Sequence, residues 1–364
     1  MILILLATIL LLAIAFFQVT QGLFSALIMA VLSIFSLALA VNYYEPLATL
    51  LQPHVPACAE AISLLVLFVV PLLVLRILAD RYIGWNVVLG VWANRIGGGA
   101  MGLVTGLVTV GVLALILQML PLGRSILMYE PYDSTMTQRS RMAPLCPDDF
   151  TLGCASRFSS QSLKGSDDRS FDKAHDNMVL ELFAARNTAG KNGRVDAAPD
   201  ALKIILMYAP EGGWGSEIPP NPMLADTPNK VVVVRTQVNG SAADTDGWFR
   251  LVGSHFRLVG QSGTSYYPLG YMMRSGPRLE FVVAPLKDNA TDPSIKDLQL
   301  ADLLVERKGG KGSSLTVDWV YRIPAEDSPE YMVFRRVSRV AVPKPVIRPP
   351  DLEGALLGPA PETP

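Results

Sequence analysis

The chain has 364 residues, a formal net charge of −1, 17 % charged residues and 50 % hydrophobic ones. Charge in an ordinary soluble domain runs near ~25 %, and the shortfall here is concentrated in the first third. This excludes a plain cytosolic enzyme and a disordered chain, and the near-zero net charge gives no footing for a nucleic-acid partner.

No Asp, Glu, Lys or Arg occurs before Glu45, and up to Met119 only Glu60, Arg76, Asp80, Arg81 and Arg95 follow. Four apolar stretches fill this region, at about 2–17, 23–41, 61–78 and 98–120. A membrane-spanning helix needs about 20 mostly apolar residues, with ~17 as a lower limit. The pattern predicts an all-α membrane bundle of four transmembrane helices over residues 1–120. The first stretch is short and could be a secretory leader. It has no Lys or Arg before it and no small-x-small cleavage site, and the next apolar stretch follows almost at once. It is therefore expected to form a helical hairpin through Gln18–Gly22. Pro71 falls inside the third stretch, where a membrane helix tolerates it.

Positive charge in short loops sets orientation. The segment 76–95 carries Arg76, Arg81 and Arg95, while 18–22 and 42–60 carry no Lys or Arg. That makes 76–95 the best candidate for a cytoplasmic loop and leaves the amino terminus, the second loop and everything beyond the fourth helix outside. In the same loop Trp85, Val88, Leu89 and Trp92 follow a helical period, which predicts a short helix lying at the headgroup layer with Trp85 and Trp92 as anchors.

The fourth stretch repeats Gly98, Gly102 and Gly106 every four residues, and the second opens with a small-residue stripe of Gly22, Ala26 and Ala30. Such stripes let helix backbones approach closely, and in lipid that packing drives association. The two stripes are expected to meet within one bundle or to pair protomers. A proton or ion path needs an ionisable residue deep in the helices, and the sequence offers none there.

The segment Asn94-Arg95-Ile96-Gly97-Gly98-Gly99-Ala100-Met101-Gly102-Leu103-Val104-Thr105-Gly106 resembles the start of the last helix of the colicin V production (CvpA) family. That family shows an Asp-Arg pair and then glycines spaced by four, the last preceded by Arg. The Asn42-Tyr43-Tyr44 exit of the second helix and the charge-poor hairpin are also similar. This chain departs from the pattern at Asn94, at Thr105 and at Gln21-Gly22, where Asp, Arg and Arg-Gly are usual. The resemblance covers about the first 120 residues. It implies a multi-pass bacterial inner-membrane protein linked to colicin V production or export and to envelope maintenance.

Beyond the bundle, 121–200 reads as a linker and helical lead-in, with helix-like patches at Asp148–Leu163 and Phe171–Arg186. Cys146 and Cys154 flank a short polar segment that could close as a disulfide loop in an oxidising compartment, with Cys58 left over. The one CxxxxxxxC pair, with the three histidines His54, His175 and His255 distant from it, lacks zinc spacing. From 201 to 342, alternating segments separated by turns predict about seven strands: Lys230–Val238, Trp248–Val259, Tyr266–Met272, Leu279–Val283, Leu298–Lys308, Leu315–Ile323 and Tyr331–Val342. This is the pattern of a mainly β sandwich, and the stretch from Phe256 through Tyr267 to Phe281, ending in a Val-Phe-Arg strand, resembles immunoglobulin-like accessory domains of bacterial envelope proteins. Residues 343–364 hold seven prolines and should form a disordered, extended tail.

No motif carries catalysis. Gly260-Gln261-Ser262-Gly263 has the outline of a nucleophile turn near His255, but the surrounding pattern makes it a hairpin turn. Gly309-Gly310-Lys311-Gly312-Ser313 lacks the phosphate-loop spacing. Asp148-Asp149 and Asp167-Asp168 lack the alternating ligands of a calcium loop. The expectation is a non-enzymatic membrane protein that displays a periplasmic binding or scaffolding domain. Its expected partners are the bilayer and either further copies (a homo-oligomer) or envelope proteins. No cofactor or metal is expected. A membrane-anchored periplasmic hydrolase or protease, or a transporter or channel subunit, is the alternative.

Overall fold

A computed structural model describes residues 2–55, 57–82, 90–132, 138, 140–142, 145–159, 171, 175, 177–187, 197–208, 229–275, 278–283, 304–308, 312–346 and 356–357. The chain divides into two compact units. One comprises Met1–Pro131 with Gln138–Val179, and the other Tyr132–Thr137 with Leu180–Pro364.

The first unit holds α1 (Ile2–Gln21), α2 (Leu23–Leu51), α3 (Ala59–Tyr82), α4 (Val91–Met119) and α5 (Pro147–Ser159). The first four are long and apolar enough to cross a membrane. Leu5, Ile9, Phe16 and Phe17 on α1 and Val70, Leu73 and Ile77 on α3 are exposed. Small and polar side chains such as Ala26, Ala30, Ser33 and Ser36 are buried instead. A surface of large apolar groups over a small-residue interior suits a lipid solvent. α1 and α2 are separated by Gly22 alone, at φ 88°. That left-handed backbone is open to glycine without strain, and the expected hairpin turn contracts to this residue.

Two boundaries differ from expectation. α2 does not end at Asn42 but runs on to Leu51 through Pro46. Asn42 turns its side chain back to the Ala38 carbonyl at 2.7 Å, so this polar residue is satisfied within the helix rather than breaking it. Arg76 and Arg81 lie in the last turns of α3 and Arg95 in the first turns of α4, so the expected positive loop is largely two helix ends. Arg76 pairs with Asp80 at 3.1 Å and donates to Ser25 at 3.2 Å.

The second unit contains most of α6 (Met178–Arg186) and a mainly antiparallel β domain. Its strands are β1 (Leu202–Tyr208), β2 (Asn229–Asn239), β3 (Trp248–Val252), β4 (Phe256–Gly260), β5 (Ser265–Tyr266), β6 (Gly270–Ser275), β7 (Arg278–Val283), β8 (Leu304–Lys308), β9 (Ser314–Pro324), β10 (Pro329–Phe334), β11 (Ser338–Ala341) and β12 (Leu356–Leu357). One sheet has the order β1-β2-β9-β6-β12 with β7 also on β6; a second is β11-β10-β4-β5; β3 and β8 form a pair. This differs from the four-plus-three arrangement of an immunoglobulin sandwich. β2 and β9 form the spine, paired over eleven positions from Asn229↔Pro324 to Asn239↔Ser314. One face of that ribbon meets the second sheet. The Phe256 ring lies 4.4 Å from Trp319 and 4.8 Å from Phe334, and Tyr321 donates to the Phe256 carbonyl at 3.1 Å. The other face gathers Tyr208, Val233, Met272 and Val320. The expected strand 248–259 is broken at Gly253–His255 by a single 3₁₀ turn, and 331–342 is a hairpin rather than one strand.

The tail is not free along its whole length. The Val346 N–H donates to Met207 O at 2.8 Å. Leu356 and Leu357 pair in parallel with Met273 and Arg274. The expectation of a disordered tail fails at these points because the main chain there finds unfilled sheet edges.

Candidate functional sites in the bundle and the β unit

The glycine stripe of α4 lies against α1. A Cβ on Gly98 would stand 3.1 Å from the Gln18 carbonyl oxygen. On Gly102 it would stand 2.7 Å from Gln18 Cβ and 2.9 Å from the Ala15 carbonyl oxygen, and on Gly106 3.2 Å from the Leu11 oxygen. Leu11, Ala15 and Gln18 are spaced by four and three residues, so each glycine receives successive turns of α1. On the α2 stripe Ala26 and Ala30 are buried, and Gly22 stands against the start of the glycine face, its carbonyl carbon 3.4 Å from a Cβ placed on Gly98. The main chain of one helix thus rests on the other, a contact available only where a side chain is missing.

A second site forms where α5 lies along α4. The Thr151 hydroxyl donates to the Leu107 carbonyl at 3.2 Å. Leu107 lies twelve residues before Met119, roughly 18 Å back along the axis at 1.5 Å per residue. Gly111 makes room for this helix, since a Cβ there would collide with Thr151 Oγ1 and Pro147 O. Asp148 is carried in with it and is 2 % exposed. Tyr129 donates to Asp148 Oδ2 at 3.5 Å, the limit of a hydrogen bond, and Oδ1 has no partner among the described residues. The residues of α4 facing α5, 107–111, carry no charge. Burial raises the Asp148 carboxyl above its ordinary range, outweighing the lowering by the backbone N–H of Asp149.

A carboxyl raised in the folded state favours the seated helix most at acid pH, below the usual carboxylate range. That contribution is lost as pH rises through the raised value. In Asp148→Asn this loss should vanish, so the backbone amides of residues 148–159 should exchange more slowly than in the parent chain at neutral pH and alike at acid pH. Equal protection at every pH would remove Asp148 from this role.

Residues 2–148 match the model of a family described as colicin V production protein. The membrane region belongs to that family. No curated protein and no solved structure matches the chain. The match takes in the glycine stripe and stops at Asp148, in the first turn of α5. Thr105, where the colicin V production pattern has Arg, is buried and donates to the Met101 carbonyl at 3.1 Å. This chain therefore buries a self-satisfied hydroxyl where the pattern would place a cation.

The other expected site residues of the colicin V production region separate. Trp92 is exposed on the first turn of α4 rather than on a headgroup helix of its own, and Trp85 lies outside the described residues. All three cysteines are free. The segment between Cys146 and Cys154 is helix α5, not a loop. Eight helical residues hold the two roughly 12 Å apart, whereas a disulfide needs Cα atoms within ~7 Å, so the expected bridge is corrected. His175 meets Glu45 Oε1 at 2.9 Å and the Tyr44 hydroxyl at 3.0 Å, beside Phe171. This contact within the first unit could not be foreseen, because 130 residues separate the partners.

In the β unit Ser262 and His255 sit beyond opposite ends of β4, whose five residues span roughly 17 Å. Ser262 donates to Asp327 Oδ2 at 2.6 Å, and Tyr266 donates to the same oxygen at 2.7 Å. The N–H groups of Ser262 and Ser328 donate to Asp327 Oδ1 at 3.1 and 2.8 Å. Burial pushes the Asp327 carboxyl up, but these four hydrogen bonds outweigh it and hold it below the usual range. Burial and then Asp327 push the Tyr266 hydroxyl up to about 12. The Gly260–Gly263 turn is the β4–β5 hairpin expected from sequence, closed by Gly263 N–H to Gly260 O at 2.9 Å and stapled by Asp327. His255 is buried, and Arg335 Nε donates to its Nδ1 at 3.3 Å. Burial and then the Arg335 charge push the imidazole well below its ordinary range, so it is neutral.

Sequence reasoning missed the buried ion pair on the spine. Arg235 holds Asp318 through two bonds of 2.7 Å, with Tyr208 on the same face of the sheet. Burial, and then Asp318, drive the Tyr208 hydroxyl far above its ordinary range. A lone Arg and a lone Asp inside two Val-rich strands were the available signal.

Proposed function

We propose that this chain is a non-enzymatic, polytopic inner-membrane protein in which the colicin V production region is the anchor. In this reading the β unit is presented in the periplasm as a binding or scaffolding domain that serves toxin production or export and envelope maintenance. The observation that carries it is the distribution of charge over four apolar helices. Arg76, Arg81 and Arg95 gather at the end of α3 and the start of α4, whereas Glu45 and Glu60 lie toward the end of α2 and the start of α3. With four spans, the positive end faces the cytoplasm and both chain ends face outward. Self-association is part of the proposal. Because the glycine face of α4 is taken up by α1, copies would meet through the exposed apolar side of α3 at Val70, Leu73 and Ile77.

The test is a pair of fusions after Pro364. Alkaline phosphatase there is expected to be active, and a fluorescent protein that matures only in the cytoplasm is expected to stay dark. A dark phosphatase fusion with a bright fluorescent one would reverse the orientation and end the periplasmic reading.

A further inference from the structure

The main sheet contains a fork. β9 and β6 pair from Val320↔Gly270 to Asp318↔Met272 and no further. β9 continues toward Ser314 and β6 toward Ser275, so both strands run on past the point where their pairing stops. β7 occupies the other edge of β6 along all six residues, Gly270↔Val283 to Ser275↔Arg278. The edge of β6 at Met273 and Arg274 that faces β9 would therefore be left with open main-chain groups. β12 fills it: Leu356 pairs with Met273 and Leu357 with Arg274, and the segment lies beside β9 as well as β6. It is parallel, in a sheet whose other strand pairs are antiparallel. It is also only two residues long, and it comes from a proline-rich stretch at the very end of the chain.

We propose that this fork is a strand-insertion slot for an extended apolar segment of a partner polypeptide, and that the chain's own Leu356–Leu357 is a replaceable occupant. Adding a strand to an open edge binds a peptide through its main chain. A sheet that must satisfy this edge, yet does so with a two-residue parallel strand, holds its occupant by few bonds. The occupant stays because it is tethered, which gives it an effective concentration in the millimolar range. A longer partner segment, free to pair along more of β6 and of β9 beyond Asp318, makes more main-chain bonds than the tail does. The inference stands on the geometry of the sheet alone and holds on either side of the membrane. The fusion experiment above can fail without touching it.

The probe is a fluorescent peptide with the chain's own sequence from Asp351 to Pro361. It is titrated against three forms of the detergent-solubilised protein: the full chain, a chain ending at Pro350, and a full-length Leu356→Pro variant, whose proline cannot donate to β6. The shortened chain and Leu356→Pro should bind the peptide saturably, and the full chain should bind it at least about tenfold more weakly because its own tail competes. A peptide carrying the same Leu356→Pro change should bind none of them. Amide exchange at Met273 and Arg274 should rise in both variants and fall again when peptide is added. No peptide binding by either variant would overturn the proposal, and so would equal binding by all three forms. Loss of the folded state in both variants would overturn it too, since the tail strand would then be an integral part of the sheet.

Discussion

Gly102→Leu is expected to be the most damaging single change in the membrane region, lowering the stability of the solubilised protein by about 3 kcal/mol. Even the first carbon of the new side chain would stand 2.9 Å from the Ala15 carbonyl oxygen and 3.0 Å from Ala15 Cα. These are main-chain atoms of α1, which cannot rotate aside, so the helices must part. In lipid no hydrophobic force pulls them back, because tails and leucines are equally apolar. Gly99→Ala is the control, since its Cβ would meet only a Val19 methyl at 3.3 Å and no main-chain atom. A thermal-shift measurement in detergent checks both. A Gly102→Leu protein that melts with the parent chain would show that α1 does not rest on this stripe.

Arg235→Ala should cost the β unit about 3–5 kcal/mol, the usual penalty for stranding one member of a buried ion pair. Asp318 is fully buried on the central strand, and Arg235 supplies both of its 2.7 Å bonds. Without the guanidinium the carboxylate has neither water nor a cation. The double variant Arg235→Met with Asp318→Leu should recover most of the loss, because it removes the desolvated charges together. Denaturant unfolding followed by tryptophan fluorescence, with Trp319 next to the pair on β9, measures each variant. An Arg235→Ala midpoint equal to the parent's would mean that the carboxylate is served by another group.

The four helices were legible because a membrane span announces itself by the absence of charge, and the glycine spacing announced a close contact. Which helix would fill that contact was not legible. Gly22, Ala26 and Ala30 look like the natural partner, yet α1 offers Leu11, Ala15 and Gln18, whose main chain matters more than their side chains. The extension of α2 past Asn42 was hidden by polar residues and Pro46. In the β unit the alternating strands β2 and β9 stood out. β1, with the run Leu-Lys-Ile-Ile-Leu-Met-Tyr, did not, because its exposed position Ile205 is apolar like the buried ones and a register shift between Ile204 and Leu206 breaks the alternation. β12 was invisible, since two leucines among prolines carry no strand pattern at all. Asp148 was the largest omission. An acidic pair at a helix start has the form of a solvated first turn that complements the helix dipole, and nothing local reveals that Gly111, far back in α4, opens a seat for it.

The contact between α1 and α4 also orders the assembly of the protein in time. α1 finds its resting place on α4, about 90 residues later in the chain, so its close contact forms only once α4 has entered the bilayer. Until then the backbone ridge at Leu11, Ala15 and Gln18 waits with lipid for a neighbour. A nascent chain halted before Gly98 would lack the surface that completes its first helix. The cell would meet it as an open bundle, with the same exposed ridge that quality-control proteases and chaperones encounter in any unfinished membrane protein.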